Sequence, residues 1–125
     1  MLLVEDDEDV LASTLTLLRE LGYSVLTARN GPEALALLRA NERIDILFTD
    51  VVLPQGMNGR QLATEAAVLR PALPVLFTTG YARNAIIHNG QLDADVQFVA
   101  KPYTQRDIAQ KLRAVIDAAL KMRGA

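Results

Sequence analysis

Acidic side chains follow two of the short apolar runs in this sequence. Glu5 and Asp6 come directly after Leu2–Val4, and Asp50 comes directly after Ile46–Thr49. A carboxylate beside a buried strand costs free energy unless a partner compensates for its charge. If these carboxylates share a pocket, they repel one another, which raises at least one pKa or requires a cation. Mg2+ suits such an open corner, because it prefers oxygen ligands and keeps several of its waters.

A hydroxyl and an amine follow two other apolar runs. Thr79 comes directly after Pro74–Thr78, and Lys101 comes directly after Val96–Ala100. In an open α/β sheet, functional groups gather beyond the carboxyl ends of the strands, near the point where the strand order reverses. The pattern therefore predicts a pocket in which carboxylates, a hydroxyl and an amine lie together.

Five apolar segments alternate with five segments of helical pattern. The predicted strands are Leu2–Val4, Tyr23–Ala28, Ile44–Thr49, Pro74–Thr78 and Val96–Ala100. The predicted helices run from the acidic cluster to Gly22, from Asn30 to Ala40, and over Gly59–Leu69, Tyr81–Asn89 and Thr104–Met122. Tyr81–Asn89 is the weakest helix, because it contains poor helix formers and Gly90 follows it. Short apolar strands suit a parallel sheet that is covered on both faces, so the alternation predicts a doubly wound α/β sheet with right-handed crossovers.

Size and composition limit the classes of protein that fit. The 125 residues are enough for one domain, 1–125, with a single core. The absence of cysteine excludes disulfides, thiolate zinc sites and thiol nucleophiles. No long apolar run and no signal peptide is present, so we expect a cytoplasmic protein that does not bind a membrane. The formal net charge of -2 and the scattered basic residues argue against direct nucleic-acid binding.

The residues at the predicted strand ends, Glu5-Asp6, Asp50, Thr79 and Lys101-Pro102, resemble those of the receiver domain of two-component response regulators. The resemblance covers essentially the whole chain. It implies a flavodoxin-like fold, a five-stranded parallel sheet of order 2-1-3-4-5 with five helices; a member of this family is a standard example of that order.

The resemblance also implies a role for each acidic residue. Asp50 would be the phosphoacceptor, and Asp6, with Glu5 behind it through a water, would hold Mg2+ together with Asp50. The backbone carbonyl of Val52 would complete the protein's metal ligands. Lys101 would pair with the phosphoryl group, and the hydroxyl that turns toward this group after transfer would belong to Thr79.

The segment PVLFTTGYA, Pro74–Ala82, resembles the FATGUY subgroup of receivers, which occur as single domains and within hybrid histidine kinases. The aromatic residue of the usual output switch would be Phe98, which has no hydroxyl. We therefore expect the predicted helix Tyr81–Asn89 to carry the switch instead. Tyr81 could either pack or control access to the phosphoryl group.

The partners that the resemblance implies are a histidine kinase or a histidine phosphotransfer protein, and a downstream protein of unknown identity. A monomer or a weak dimer is expected, and the chain could be a separate protein or part of a longer one. The function implied is that of a signalling module, which promotes its own phosphorylation and dephosphorylation and is not a turnover enzyme for small substrates.

Two other functions stay open at this point. A haloacid dehalogenase-like phosphohydrolase also combines an aspartate nucleophile, Mg2+, a hydroxyl and a lysine, but it wants a second aspartate where this chain has Val52. An interaction module that is never phosphorylated is the other alternative. Nucleotide enzymes are disfavoured because neither GxxxxGK[ST] nor GxGxxG occurs.

Several nearby polar residues have ordinary structural interpretations. Asp7, Glu8 and Asp9 are suited to capping the first helix and to interacting with its dipole. Thr78 is expected to pack or to make a strand-end hydrogen bond. The single histidine, His88, is expected to lie on a helix surface.

Overall fold

The computed structural model of the protein describes residues 1–40, 43–54, 56–79, 87–88, 91–92, 98–100 and 103–124. Its strands are β1 Leu2–Val4, β2 Leu26–Ala28, β3 Leu47–Asp50, β4 Val75–Thr79, β5 Ile87–His88, β6 Gln91–Leu92 and β7 Phe98–Ala100. Its helices are α1 Glu8–Glu20, α2 Gly31–Ala40, α3 Gly59–Leu69 and α4 Gln105–Gly124. Strands and helices alternate along most of the chain, as the sequence predicts.

Five strands form one sheet in the order β2-β1-β3-β4-β7. All neighbouring strands in this sheet are parallel. Counted along the chain within this sheet, the order is 2-1-3-4-5, which is the predicted one. The reversal of strand order lies between β1 and β3, so the residues that follow these two strands occupy the expected place for a functional site.

The sheet is apolar on both faces, and the two faces pack against different helices. Leu3, Phe48 and Leu76 belong to one buried cluster, which includes Leu18 of α1 and Ile108 of α4. The opposite face uses the alternate positions of the same strands and packs against α2 and α3; its buried residues include Leu2, Val4, Leu47, Leu62 and Ala66. Because side chains alternate between the faces of a strand, burial on both faces explains the continuous apolar runs.

The first helix begins as the acidic cluster predicts. The Asp7 side chain accepts hydrogen bonds from the backbone N–H groups of Asp9 and Val10, at 3.0 and 3.1 Å. Glu8 and Asp9 lie in the first turn, where a negative charge interacts favourably with the helix dipole. The helix ends before Gly22, whose φ of 96° is readily adopted only by glycine.

The prediction of a helix over Tyr81–Asn89 is wrong at the residues of that segment that the structure describes. Ile87–His88 forms β5, which pairs antiparallel with β6, and the rest of the predicted helix lies outside the described residues. In the sequence, an Asn-Gly dipeptide separates Ile87–His88 from Gln91–Leu92, and this dipeptide is typical of connections between antiparallel strands. The described part of the chain therefore contains four helices, not the five that were predicted, and His88 lies in a strand.

Candidate functional site

The three predicted metal-binding carboxylates lie together. Glu5, Asp6 and Asp50 each present a carboxylate oxygen, and these oxygens lie within 4.8 Å of one another. Glu5 and Asp50 are 2% and 7% exposed, whereas Asp6 is exposed. The cluster is therefore buried on one side and open to solvent on the other, so a cation could reach it.

The strand register explains why Glu5 and Asp50 meet. In the pairing of β1 with β3, Val4 is opposite Thr49. The next residues along the chain are Glu5, which directly follows β1, and Asp50, which is the last residue of β3. Asp6 follows Glu5 in the short turn before α1, so the same pairing also brings Asp6 to the cluster.

Backbone donors hold two of these carboxylates in place. The N–H of Asp7 donates to Glu5 Oε1 at 3.1 Å, and the N–H of Val52 donates to Asp50 Oδ1 at 3.2 Å. Hydrogen bonds to an ionised carboxylate favour its charged form. They offset part of the cost of burying these side chains at a site where several negative charges are close together.

The cluster fits a hard divalent cation by its donor set. Its side chains offer only oxygen ligands, and its solvent-exposed side leaves room for water, as Mg2+ requires. The resemblance implies a fourth metal ligand, the backbone carbonyl of Val52. Its main chain lies beside the cluster, because its N–H is bonded to Asp50.

Glu8 and Asp9 are close in sequence to the cluster, but both lie in the first turn of α1, and Glu8 contacts a basic residue. Glu8 Oε1 lies 2.8 Å from Arg29 Nη1, and both side chains are more than half exposed. An exposed ion pair of this kind contributes little to stability. The structure therefore agrees with the interpretation of Glu8 and Asp9 as residues of the helix start rather than as ligands.

The loop between β3 and α3 is held tightly against Asp50. The N–H of Gly59 donates to the Val51 carbonyl at 2.7 Å. A Cβ at Gly59 would overlap the Asp50 carbonyl oxygen and would lie 2.9 Å from Val51 Cα. In the same loop, Met57 packs so closely on Gly31 that a Cβ there would overlap its sulfur. These contacts fix the backbone that carries Asp50.

Thr78 and Thr79 follow each other at the end of β4. Thr78 is opposite Asp50 in the sheet, is 1% exposed, and its hydroxyl has no hydrogen-bond partner among the residues that the structure describes. The burial of Thr78 therefore supports the expected packing role, and within the described part of the chain its hydroxyl makes no strand-end hydrogen bond. Thr79 is described through its backbone only and is opposite Ala100 of β7.

The structure describes the side chain of none of the other predicted site residues. Lys101, Pro102 and Tyr81 lie outside the described residues, and Phe98 is described through its backbone only, opposite Phe77 of β4. The register nevertheless places Ala100, the residue before Lys101, next to Thr79. The prediction that the Lys101 amine and the Thr79 hydroxyl share one pocket stays a prediction, because the structure describes neither side chain.

One polar contact near the site was not predicted. The ring of Tyr103 lies against Phe48, with 6.3 Å between the ring centroids. Its hydroxyl also forms a 2.6 Å hydrogen bond with the hydroxyl of Thr14. The sequence contains a signal for this contact. Thr14 lies among leucines on the buried face of α1, which indicates a buried polar partner.

Among the described residues, no helix is both long and apolar enough to cross a membrane.

Comparison with known proteins gives consistent matches. Residues 1–113 match the family model described as "Response regulator receiver domain". The response regulator receiver protein CpdR of Brucella abortus (strain 2308) is 33% identical over 119 residues, which are 95% of this chain and 98% of that protein. The sensor kinase CckA of the same organism is 32% identical over 118 residues, which are 94% of this chain but 12% of that protein.

A solved structure supports the fold. The crystal structure of a response regulator receiver protein from Sinorhizobium medicae WSM419 superposes with a TM-score of 0.82, at 25% identity and with 94% of each chain covered. The chain thus spans nearly the full length of CpdR but only 12% of the length of CckA.

Proposed function

Because this chain belongs to the family of response regulator receiver domains, we propose that it accepts a phosphoryl group on Asp50 from a histidine kinase or a histidine phosphotransfer protein. The observation that carries the proposal is the cluster of Glu5, Asp6 and Asp50, whose oxygens lie within 4.8 Å of one another at the strand-order reversal. The modified receiver would then change its interactions with a downstream protein.

In this proposal the chain's own residues align the reacting groups. A carboxylate oxygen of Asp50 forms a bond to phosphorus as the bond from phosphorus to the donor's imidazole nitrogen breaks, and that nitrogen keeps the electron pair. The Val52 N–H, bonded to Asp50 Oδ1, fixes the orientation of the carboxylate. Such alignment matters because phosphoryl transfer depends mainly on positioning and charge stabilisation.

Asp6, Asp50 and the Val52 carbonyl would hold Mg2+, with Glu5 acting through a water. When bound, Mg2+ supplies positive charge that stabilises the phosphoryl oxygens during transfer. Lys101 would supply positive charge on the other side of the phosphoryl group, and the Thr79 hydroxyl would bind it after transfer. Tyr81 and Phe98 would respond to the new charge and so take part in the switch.

The receiver subgroup, and whether the chain acts as a separate protein or as part of a hybrid kinase, are also proposals. The run Pro74–Ala82 supports a FATGUY-like receiver, and the similarity to CckA agrees with a receiver within a hybrid kinase. The similarity to CpdR, over almost its full length, agrees equally with a separate receiver protein.

The experiment that tests the function is intact mass spectrometry after incubation with Mg2+ and acetyl phosphate. We expect one added phosphoryl group that requires Mg2+, is removed by hydroxylamine and is absent from Asp50→Asn. The Asn variant is the matched control, because its amide oxygen can still accept the Val52 N–H. A phosphoryl group on Asp50→Asn would show that another residue is the acceptor.

The same mass measurement, together with an assay of phosphate release, separates the two alternative functions. No modification of a folded wild-type protein by acetyl phosphate or by a phosphohistidine donor would favour an interaction module that is never phosphorylated. Sustained release of inorganic phosphate from small phosphate esters would favour a haloacid dehalogenase-like phosphohydrolase. We expect no such turnover, because Val52 occupies the position of the second aspartate of those enzymes.

A further inference from the structure

Thr49 is a polar residue on an apolar face of the sheet. It is 0% exposed. Because it is two residues after Leu47 in β3, it lies on the face that packs against α2 and α3. A buried hydroxyl costs free energy unless it is hydrogen-bonded. Valine has nearly the same shape and would avoid this cost, so what threonine adds at this position is its hydroxyl.

The Thr49 hydroxyl is bonded to the backbone of the proposed phosphoacceptor. It donates to the carbonyl oxygen of Asp50 at 3.0 Å, in a buried contact. Gly59 lies against the same oxygen, so closely that a Cβ there would overlap it. The Asp50 carbonyl is thus held by a hydroxyl of its own strand and by the start of α3.

The peptide unit that joins Asp50 to Val51 is also held at its other end. The N–H of Val51 donates to the Thr78 carbonyl at 3.0 Å. The chain leaves the sheet at this point, and the next N–H, that of Val52, donates to Asp50 Oδ1 at 3.2 Å. Because these groups are covalently linked, a tilt of this peptide unit would move both the Asp50 carboxylate and the donor that orients it.

We propose that Thr49 is a positioning residue, whose hydroxyl holds the peptide unit from which Asp50 and the Val52 N–H are presented to the metal site. This inference rests on the proposed function, because it takes Asp50 as the phosphoacceptor and as a ligand of Mg2+. Thr49 acts through the backbone of Asp50. Its own side chain lies on the other face of the strand and does not contact the reacting atoms.

The test compares wild type with Thr49→Val, which removes the hydroxyl and nearly keeps the shape. The first measurement is the Mg2+ dissociation constant, by calorimetry and without a phosphodonor. We expect Thr49→Val to weaken Mg2+ binding about tenfold, because partners that hold a metal ligand in place commonly contribute this much to affinity. Thr49→Ala also lacks the hydroxyl and should show the same loss, whereas Thr49→Ser keeps it and should retain most of the affinity.

A second measurement follows the geometry of the site in the protein without a cation. We expect the Val52 amide to exchange its hydrogen with solvent faster in Thr49→Val, because its bond to Asp50 Oδ1 is held less firmly. The Asp9 amide, which donates to Asp7 Oδ1 at 3.0 Å, is the internal reference and should exchange at the same rate in both proteins.

Thr78→Val is the matched control. Thr78 is 1% exposed and opposite Asp50 on the next strand, and its hydroxyl has no hydrogen-bond partner within the described ranges. We expect this variant to keep the Mg2+ affinity of wild type. It should be at least as stable as wild type, because the change removes a buried hydroxyl that lacks a partner.

The outcomes separate this inference from the proposed function. Unchanged Mg2+ affinity or unchanged Val52 exchange in Thr49→Val, or an equal loss of affinity in Thr78→Val, would overturn the inference alone. A protein whose Mg2+ affinity depends on Thr49 but which is never phosphorylated would overturn the proposed function and support the positioning of the metal site by Thr49. Wild-type protein that binds no Mg2+ would overturn both.

Discussion

Gly59 determines how closely α3 can approach the carboxylate cluster. Its missing side chain allows the helix start to lie directly against the carbonyl of Asp50 and against Val51. These neighbours are backbone atoms, which cannot move aside as the end of a flexible side chain can. The position of Asp50 therefore depends on Gly59, although Gly59 has no reactive or metal-binding side chain.

We expect Gly59→Ala to lower both stability and Mg2+ affinity. The added methyl group must displace the Asp50 backbone, and overpacking of this kind typically costs about 1 to 3 kcal/mol. Chemical unfolding measures the first effect, and calorimetric titration with Mg2+ measures the second.

Gly22→Ala is the matched control for that substitution. A Cβ at Gly22 meets nothing within 4 Å, but its φ of 96° is strained for alanine, so we expect a loss of stability without a loss of Mg2+ affinity. Unchanged Mg2+ affinity in Gly59→Ala would show that the close approach of α3 does not set the geometry of the cluster.

At the scale of elements, α4 begins with a reciprocal pair of hydrogen bonds. The N–H of Thr104 donates to Asp107 Oδ2 at 2.9 Å, and the N–H of Asp107 donates to the Thr104 hydroxyl oxygen at 3.1 Å. Hydrogen bonding to Thr104 holds the pKa of Asp107 below its ordinary value of 3.8. The bond from the Thr104 backbone has the larger effect, and the bond from its side chain has the smaller one. This pair fixes the start of the helix that follows Tyr103.

We expect the start of α4 to loosen in acid. Because the folded pKa of Asp107 is lowered, the contribution of the carboxylate to stability is fully present above pH 3.8 and is lost as the pH falls through the folded value. NMR titration of the Asp107 carboxyl carbon, together with the amide signals of residues 104–108, would follow the change.

Thr104→Ala provides the comparison for this titration. It keeps the backbone donor and removes the hydroxyl, so we expect the Asp107 pKa to move part of the way back toward 3.8. A midpoint at or above 3.8 in the wild-type protein would contradict the proposed cap.

At the scale of the whole molecule, the carboxylate cluster links charge to global stability. Three carboxylates with oxygens within 4.8 Å repel one another, and the sheet holds two of them in a buried place. The repulsion disappears when the chain unfolds. Without a cation, we therefore expect this repulsion to make the folded protein less stable than its apolar packing alone would make it.

We expect Asp50→Asn to raise the stability of the cation-free protein, by on the order of 1 kcal/mol, because it removes one of the repelling charges and keeps the bond from Val52. Mg2+ should stabilise the wild type, by about 2.7 kcal/mol at a hundredfold excess over the dissociation constant, and the variant much less. Thermal unfolding with and without Mg2+ measures both effects. A variant that is less stable than wild type without Mg2+ would show that Asp50 is a satisfied structural carboxylate.

The described strands differ from the predicted ones mainly at their ends. The sequence predicts Tyr23–Ala28 as a strand, but only Leu26–Ala28 pairs, because β1 offers three residues as partners. The third predicted strand, Ile44–Thr49, is observed as Leu47–Asp50, because pairing with β4 continues to Thr78. Apolar pattern identifies a strand, but the length of its neighbour sets its bounds.

Sequence pattern alone predicted the order of elements outside Tyr81–Asn89, the helix Gly59–Leu69 and the association of Glu5, Asp6 and Asp50. These features depend on local periodicity and on one general rule, that parallel strands end at the same edge of a sheet. Three features became visible only in the folded molecule: the strand at Ile87–His88, the fit of Gly59 against Asp50 and the bond between Thr14 and Tyr103. The last two contacts join residues on different packed elements and depend on distances of a few ångströms, which no local pattern encodes, whereas Ile87–His88 pairs locally where the helical pattern was weak.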